Sequence, residues 1–206
     1  MRDARLADLS TVIAAAARSA ATSSRLYLVS RTSHLAEGWC DRVPVLELAG
    51  PAGLGDAVRD AAQSLGVGVI WESPADVIPL PTGFEDRARP VGAGALAEAA
   101  ASVRHDGGGS VDVRHFDPYS VVLRLIARGD EPDYVAALEY VLHGWVEPAR
   151  LEGLLAEVVP RMTNETLAQD PAEFRRKFKG LRQLYQRSHS VYSPGGTRAG
   201  EAVSQA

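Results

Sequence analysis

The chain has 206 residues, 46% of them hydrophobic and 23% charged, and carries a formal net charge of −4. That composition is ordinary for a globular protein with one sizeable core and room for a helical appendage. The acidic balance excludes whole-molecule attraction to nucleic acid or to acidic membranes, and the single cysteine, Cys40, excludes an internal disulfide and favours a reducing compartment. No apolar run approaches ~18 residues, so a soluble, cytoplasmic protein is expected.

In chain order, residues 3–23 read as an amphipathic helix, with Leu6, Leu9, Val12, Ile13 and Ala16 near helical spacing. The Ala-rich run 12–21 inside it contains Arg18 and lacks a long Leu/Val core, which argues against a signal peptide. Tyr27, Leu28 and Val29 begin a strand, Ser30 to Ser33 turn, residues 34–39 form a short helix, and residues 43–48 return as a second strand. A helix through Leu54, Val58, Ala61 and Leu65 stops at Gly66, and residues 67–71 form a third strand. That helix can serve as a crossover, so a mixed sheet is favoured over an antiparallel meander.

Pro74, Pro79 and Pro81 then force an extended, turning segment. Residues 95–103 can form a short helix, and Gly107 to Gly109 a flexible turn. Val111 and Val113 alternate with Asp112 and Arg114, the pattern of a half-buried strand over 110–116. Four helix starts built on an acid and a proline follow, at Asp117-Pro118, Asp130-Glu131-Pro132, Glu147-Pro148 and Asp170-Pro171. The expected organisation is an α/β domain over 1–116, a helical subdomain over 117–187 packed on it, and a disordered tail over 188–206.

Several spaced segments carry a family resemblance. The strand–turn–helix–strand over 27–48, ESPADVIPLPTGFEDRARPV over 72–91, and VRHFDPYSVVLRLIARGDEPDYVAALEYVLHGWVEPARLEGLLAEV over 113–158 occur in order, with DPAEFRR at 170–176 closing the series. Together they resemble the bacterial nucleotidyltransferase-like family of the DUF6036 type, near the AbiEii-type toxins. The resemblance covers roughly residues 27–184 and implies an α/β nucleotidyltransferase-like mixed sheet flanked by helices. It also implies a setting such as a toxin–antitoxin-like or defence system.

A nucleotidyltransferase needs two or three carboxylates converging on Mg²⁺, which neutralises phosphate charge and aligns the attacking and leaving oxygens. The resemblance places the glycine pair of the phosphate turn on Ser30 and Arg31, and the Asp-x-Asp pair on Val45 and Glu47. The third carboxylate falls on Ile70, with Glu72 two residues on. The basic residue of the helix after DPY falls on Leu125, beside Arg124, and a helix-borne aspartate falls on Ala136, with Asp133 nearby. Losing most of a metal shell costs many orders of magnitude in rate, so Mg²⁺ is implied only if an enzyme survives, with Glu47 the one candidate ligand. Ser30, Arg31 and Thr32 are the candidate nucleotide-binding turn, and Glu47 and Asp76 the candidate catalytic acids. Asp76 has a structural alternative as a cap for loop amides. The pair His115 and Asp117 resembles an acid–base couple, although Asp117 is already explained as a helix cap. Arg31 is expected to pair with Glu47 across the old pocket, with anion binding as the alternative.

Arg175, Arg176, Lys177, Lys179, Arg182 and Arg187 share the last helix, and Lys177 and Lys179 are the chain's two lysines. With Phe174, Phe178 and Tyr185 alongside, this helix is a candidate nucleic-acid surface or a solvated face over core aromatics. Three functions therefore compete. The favoured one is a catalytically degenerate nucleotidyltransferase-like protein acting as a binding or regulatory subunit, with a protein partner or active paralogue. The others are an active enzyme with a rearranged site using Glu47, Glu72 or Asp76, and an RNA- or DNA-binding module using the last helix.

Overall fold

The computed structural model describes residues 1–92, 96, 110–162 and 170–191, with side chains to residue 187 in the last helix. Five strands, β1 (Ser24–Leu28), β2 (Val45–Ala49), β3 (Gly68–Trp71), β4 (Arg89–Pro90) and β5 (Val111–His115), form one mixed sheet. Their order is β3-β2-β1-β5-β4. β1 runs antiparallel to β2 and parallel to β5, β2 is parallel to β3, and β4 is antiparallel to β5. Seven α-helices complete the described residues: α1 (Leu6–Ser19), α2 (Arg31–Ala36), α3 (Ala52–Leu65), α4 (Pro118–Arg128), α5 (Glu131–Leu142), α6 (Pro148–Val158) and α7 (Pro171–Val191). The class is mixed α/β, with helices around a sheet, and among the described residues no helix is long and apolar enough to cross a membrane.

Strand residues alternate between faces, so the sheet separates two cores. Leu26, Leu28, Leu46, Leu48, Val111 and Val113 face α1 and α3. Tyr27, Val29 and Ala49 face the opposite way and join Phe116 and the side chains of α4 to α7. α4 lies under that second layer and is buried at every residue from Pro118 to Ala127. Phe174, Phe178 and Leu181 seat α7 on it, with Phe174 wholly buried, a contribution of about 2–3 kcal/mol for that ring.

Local signals place most boundaries. Gly66 and Gly129 take left-handed φ of 69° and 74° and close α3 and α4. Asp117 accepts from the amides of Tyr119 and Ser120 at the start of α4, and Asp170 accepts from Ala172 at the start of α7. At α5 and α6 the acids Asp130 and Glu147 accept no capping bond, and the proline alone suits the first turn.

The structure departs from expectation in a few places. α1 begins at Leu6 because residues 2 and 4 are extended, bridging Val67 and Val43. α2 begins at Arg31, three residues before the expected helix, because the chain reverses sharply at Ser30. β4, two residues long, has no counterpart in the sequence reading. α7 continues to Val191, beyond the expected start of the tail at 188. Of the expected helix over 95–103 only Leu96 is described, helical and buried; the Gly107 to Gly109 turn and residues 192–206 lie outside the described residues.

Candidate functional site

The site is built where β1 ends. Ser30 has φ 54° and ψ −130°, the one positive φ at a non-glycine residue among those described. Such backbone costs about 1–3 kcal/mol for a residue with a Cβ, and it is a conformation that glycine adopts freely. Surrounding bonds hold it: Ser33 donates its hydroxyl to the Leu28 carbonyl at 3.1 Å, and Tyr140 donates its phenol to the Ser30 carbonyl at 2.9 Å. Thr32 Oγ1 accepts from the Glu47 amide at 2.7 Å, tying the turn to β2.

Of the candidate phosphate turn, Ser30 and Thr32 are thus buried, at 1% and 0% exposure. Thr32 spends its hydroxyl oxygen inside the fold. Arg31 does not reach Glu47. It is half-buried, and its charge is felt by His34 and Cys40. The expected Arg31–Glu47 pair is replaced by pairs from α4.

Glu47, on β2, points toward α4 and is 5% exposed. Its carboxylate accepts from Arg124 Nη1 at 2.7 Å and from Arg128 Nη1 at 3.2 Å. Arg124, fully buried, also donates Nε to Glu72 at 3.1 Å, with a second bond from Nη2 to the same carboxylate oxygen. One guanidinium therefore bridges the middle of β2 and the residue just after β3. Burial works against its charge, but Glu47 and Glu72 hold its pKa above the ordinary arginine value. Arg128 Nε lies 3.1 Å from Asp133 Oδ2, a charge pairing without a hydrogen bond at that oxygen. Burial pushes the Asp133 carboxyl up, against the pull of Arg128.

Glu72 reaches this site with β2 and β3 in their parallel register. Glu47 pairs with Ile70 in register, and Glu72, two residues on, shares the face of Ile70. Ile70 itself is 36% exposed and carries no ligand atom. Sequence reasoning put the basic residue of α4 on Leu125; the structure turns Arg124 to the acids and buries Leu125 in the core. Both are fully buried, so no polar stripe marked the difference.

Other candidates are spent locally. Asp76 is exposed and accepts from the Ser73 amide at 2.8 Å while Ser73 caps Ala75, the geometry of the loop-capping alternative. His115 and Asp117 do not couple. His115 Nε2 meets Glu37 at 2.9 Å, while Asp117 takes the N-terminus of α4 and a two-pronged pair with Arg87 at 3.0 and 2.8 Å.

The basic helix is also partly committed. Lys177 Nζ donates to the carbonyls of Ala127 and Arg128 at 2.9 and 3.1 Å, capping the end of α4. Its stem crosses so close that a Cβ on Gly129 would lie 2.8 Å from it. Arg182 lies 3.6 Å from Glu152, and Arg176 4.0 Å from Glu173. Arg175 and Lys179 are exposed, over a row in which Phe174, Phe178 and Leu181 are core. Lys177→Ala should cost about 1 kcal/mol, the value of a charged group at a helix C-terminus. Urea unfolding checks this, and an unchanged midpoint would rule out the cap.

A divalent cation does not fit this arrangement. Glu47 and Glu72 are both occupied by Arg124, and Val45 offers no oxygen. Among the described residues no three His, Cys, Asp or Glu side chains are grouped to hold a metal ion. No family model matches the chain, and no match is found among curated proteins or solved structures.

Proposed function

We propose that the protein is a catalytically degenerate nucleotidyltransferase-like subunit that binds or regulates rather than transfers. One observation carries the reading: the Arg124 guanidinium lies between Glu47 and Glu72, the carboxylates nearest the positions where the resemblance puts metal ligands. A permanent internal cation there does the charge-neutralising work of a metal, but offers no Lewis acidity and no exchangeable position for a phosphate oxygen. The glycine-like backbone of Ser30 further supports descent from a phosphate turn. In this role the protein acts beside an active paralogue or another protein partner.

Thermal unfolding with each of the four nucleoside triphosphates, with and without Mg²⁺ or Mn²⁺, tests the reading. No metal-dependent shift is expected. A ligand at about 100 times its dissociation constant stabilises by about 2.7 kcal/mol, which is readily seen. A metal-dependent shift, with nucleotidyl transfer abolished by Glu47→Ala, would overturn it.

A further inference from the structure

A second site lies on the same layer, away from the Glu47–Arg124 bridge. A groove of about 420 Å³ is lined by Arg87, Arg89, Arg150, Tyr119, Trp145 and Asp86, with prolines at its edge. Arg89 Cζ lies over the Trp145 ring, 4.1 Å from its centroid. Arg150 and Arg87 both lie over the Tyr119 ring, at 5.2 and 5.9 Å.

Exposed arginines such as Arg18 and Arg175 have no carboxylate within ion-pair distance among the described residues, whereas Arg2 pairs with Asp8, Arg59 with Asp56, Arg114 with Asp112, and Arg124 with Glu47 and Glu72. Arg87 follows that pattern through Asp117. Arg89 and Arg150 do not: among the described residues neither has a carboxylate within ion-pair distance, and both are exposed. Their guanidinium groups instead lie over aromatic rings, a placement that engages the face and leaves the N–H edges of the forks for a ligand. Three guanidinium groups converging on one groove repel one another, and Asp86 and Asp117 offset only part of that charge. An oxyanion seated between the forks would complete the balance with charge-assisted, paired hydrogen bonds.

We infer that this groove is a binding site for the phosphate groups of a phosphorylated ligand, a nucleotide or a nucleic-acid strand. Base stacking does not hold the ligand here, because Arg89 already covers the Trp145 face and Tyr119 is buried. Nothing in this inference depends on descent from a nucleotidyltransferase, and it requires no metal.

The test is a metal-free calorimetric titration of the full chain with pyrophosphate, ATP and a short oligoribonucleotide. At least one should bind with a dissociation constant below about 1 mM. Arg89→Ala and Arg150→Ala should each weaken it about tenfold, Arg89→Lys should restore part of the loss, and Lys179→Ala on α7 should leave it unchanged. Thermal unfolding of each variant verifies that the fold is intact. Binding of pyrophosphate and ATP alike supports the site with a small phosphorylated molecule as the source; binding of the oligoribonucleotide alone supports it with a strand as the source. No binding by any of the three, or binding indifferent to both alanine variants, would overturn the inference.

Discussion

Replacing Arg124 by methionine is expected to destabilise the protein by about 3–5 kcal/mol, the cost of leaving a buried charge without its partner. In a chain of this size that lowers the melting temperature by roughly 10 °C. The cost falls on Glu47, which is 5% exposed and keeps only the longer contact with Arg128 at 3.2 Å. Glu72 has a way out, since its side chain is 36% exposed. The double variant Arg124→Met with Glu47→Met should therefore recover most of the loss, because both buried charges are gone and the volume is kept. Urea unfolding of the two singles and the double gives the coupling energy directly. A cost below about 1 kcal/mol for Arg124→Met would show that water reaches Glu47 and that the bridge is not structural. The same variants bear on the proposed function: if a guanidinium has taken over charge neutralisation, the carboxylates facing it need that cation for folding first.

Stability is also expected to fall steeply between pH 7 and pH 5. Burial holds His34 at about 3, with Arg31, His143 and His115 adding repulsion. Burial and the Arg89 charge hold His115 at about 4. Both rings stay neutral in the fold while the unfolded chain binds a proton on each below about pH 6.5, so unfolding takes up protons and stability drops as pH falls. Each ring should cost about 2 kcal/mol between pH 6.5 and 5. His34 gives the cleaner test. It is 3% exposed, packs edge-on against Tyr140 at 4.7 Å and has no partner on Nε2 among the described residues. His115 meets the Glu37 carboxylate at 2.9 Å, which favours its protonated form and softens its share. His34→Phe should remove roughly half of the pH slope measured by urea unfolding over this window. A slope unchanged in that variant would mean that His34 protonates without leaving the fold.

The amino-acid sequence by itself determined the elements with local causes. Asp117-Pro118 starts α4, Gly66 and Gly129 end α3 and α4, and the alternation at 111–113 makes β5, because caps, φ preferences and strand periodicity act within a few residues. It also marked Glu47 as the carboxylate to watch and offered Phe174, Phe178 and Tyr185 as core aromatics, of which the structure buries the first two and leaves Tyr185 half-buried. Only the tertiary structure decided which residues meet. α4 is buried almost all round, so its composition holds no polar face from which to read that Arg124 rather than Leu125 points at Glu47. The same holds for Glu72, brought to the site by the parallel pairing of β2 and β3, and for Arg89, Arg150 and Trp145, which are 56 to 61 residues apart or close neighbours in the chain and share a groove because β4 pairs with β5, which leads into α4, and α6 packs on α4. Charge pairing across such separations depends on helix rotation and strand register, and these are set by the packing of the whole layer against the sheet.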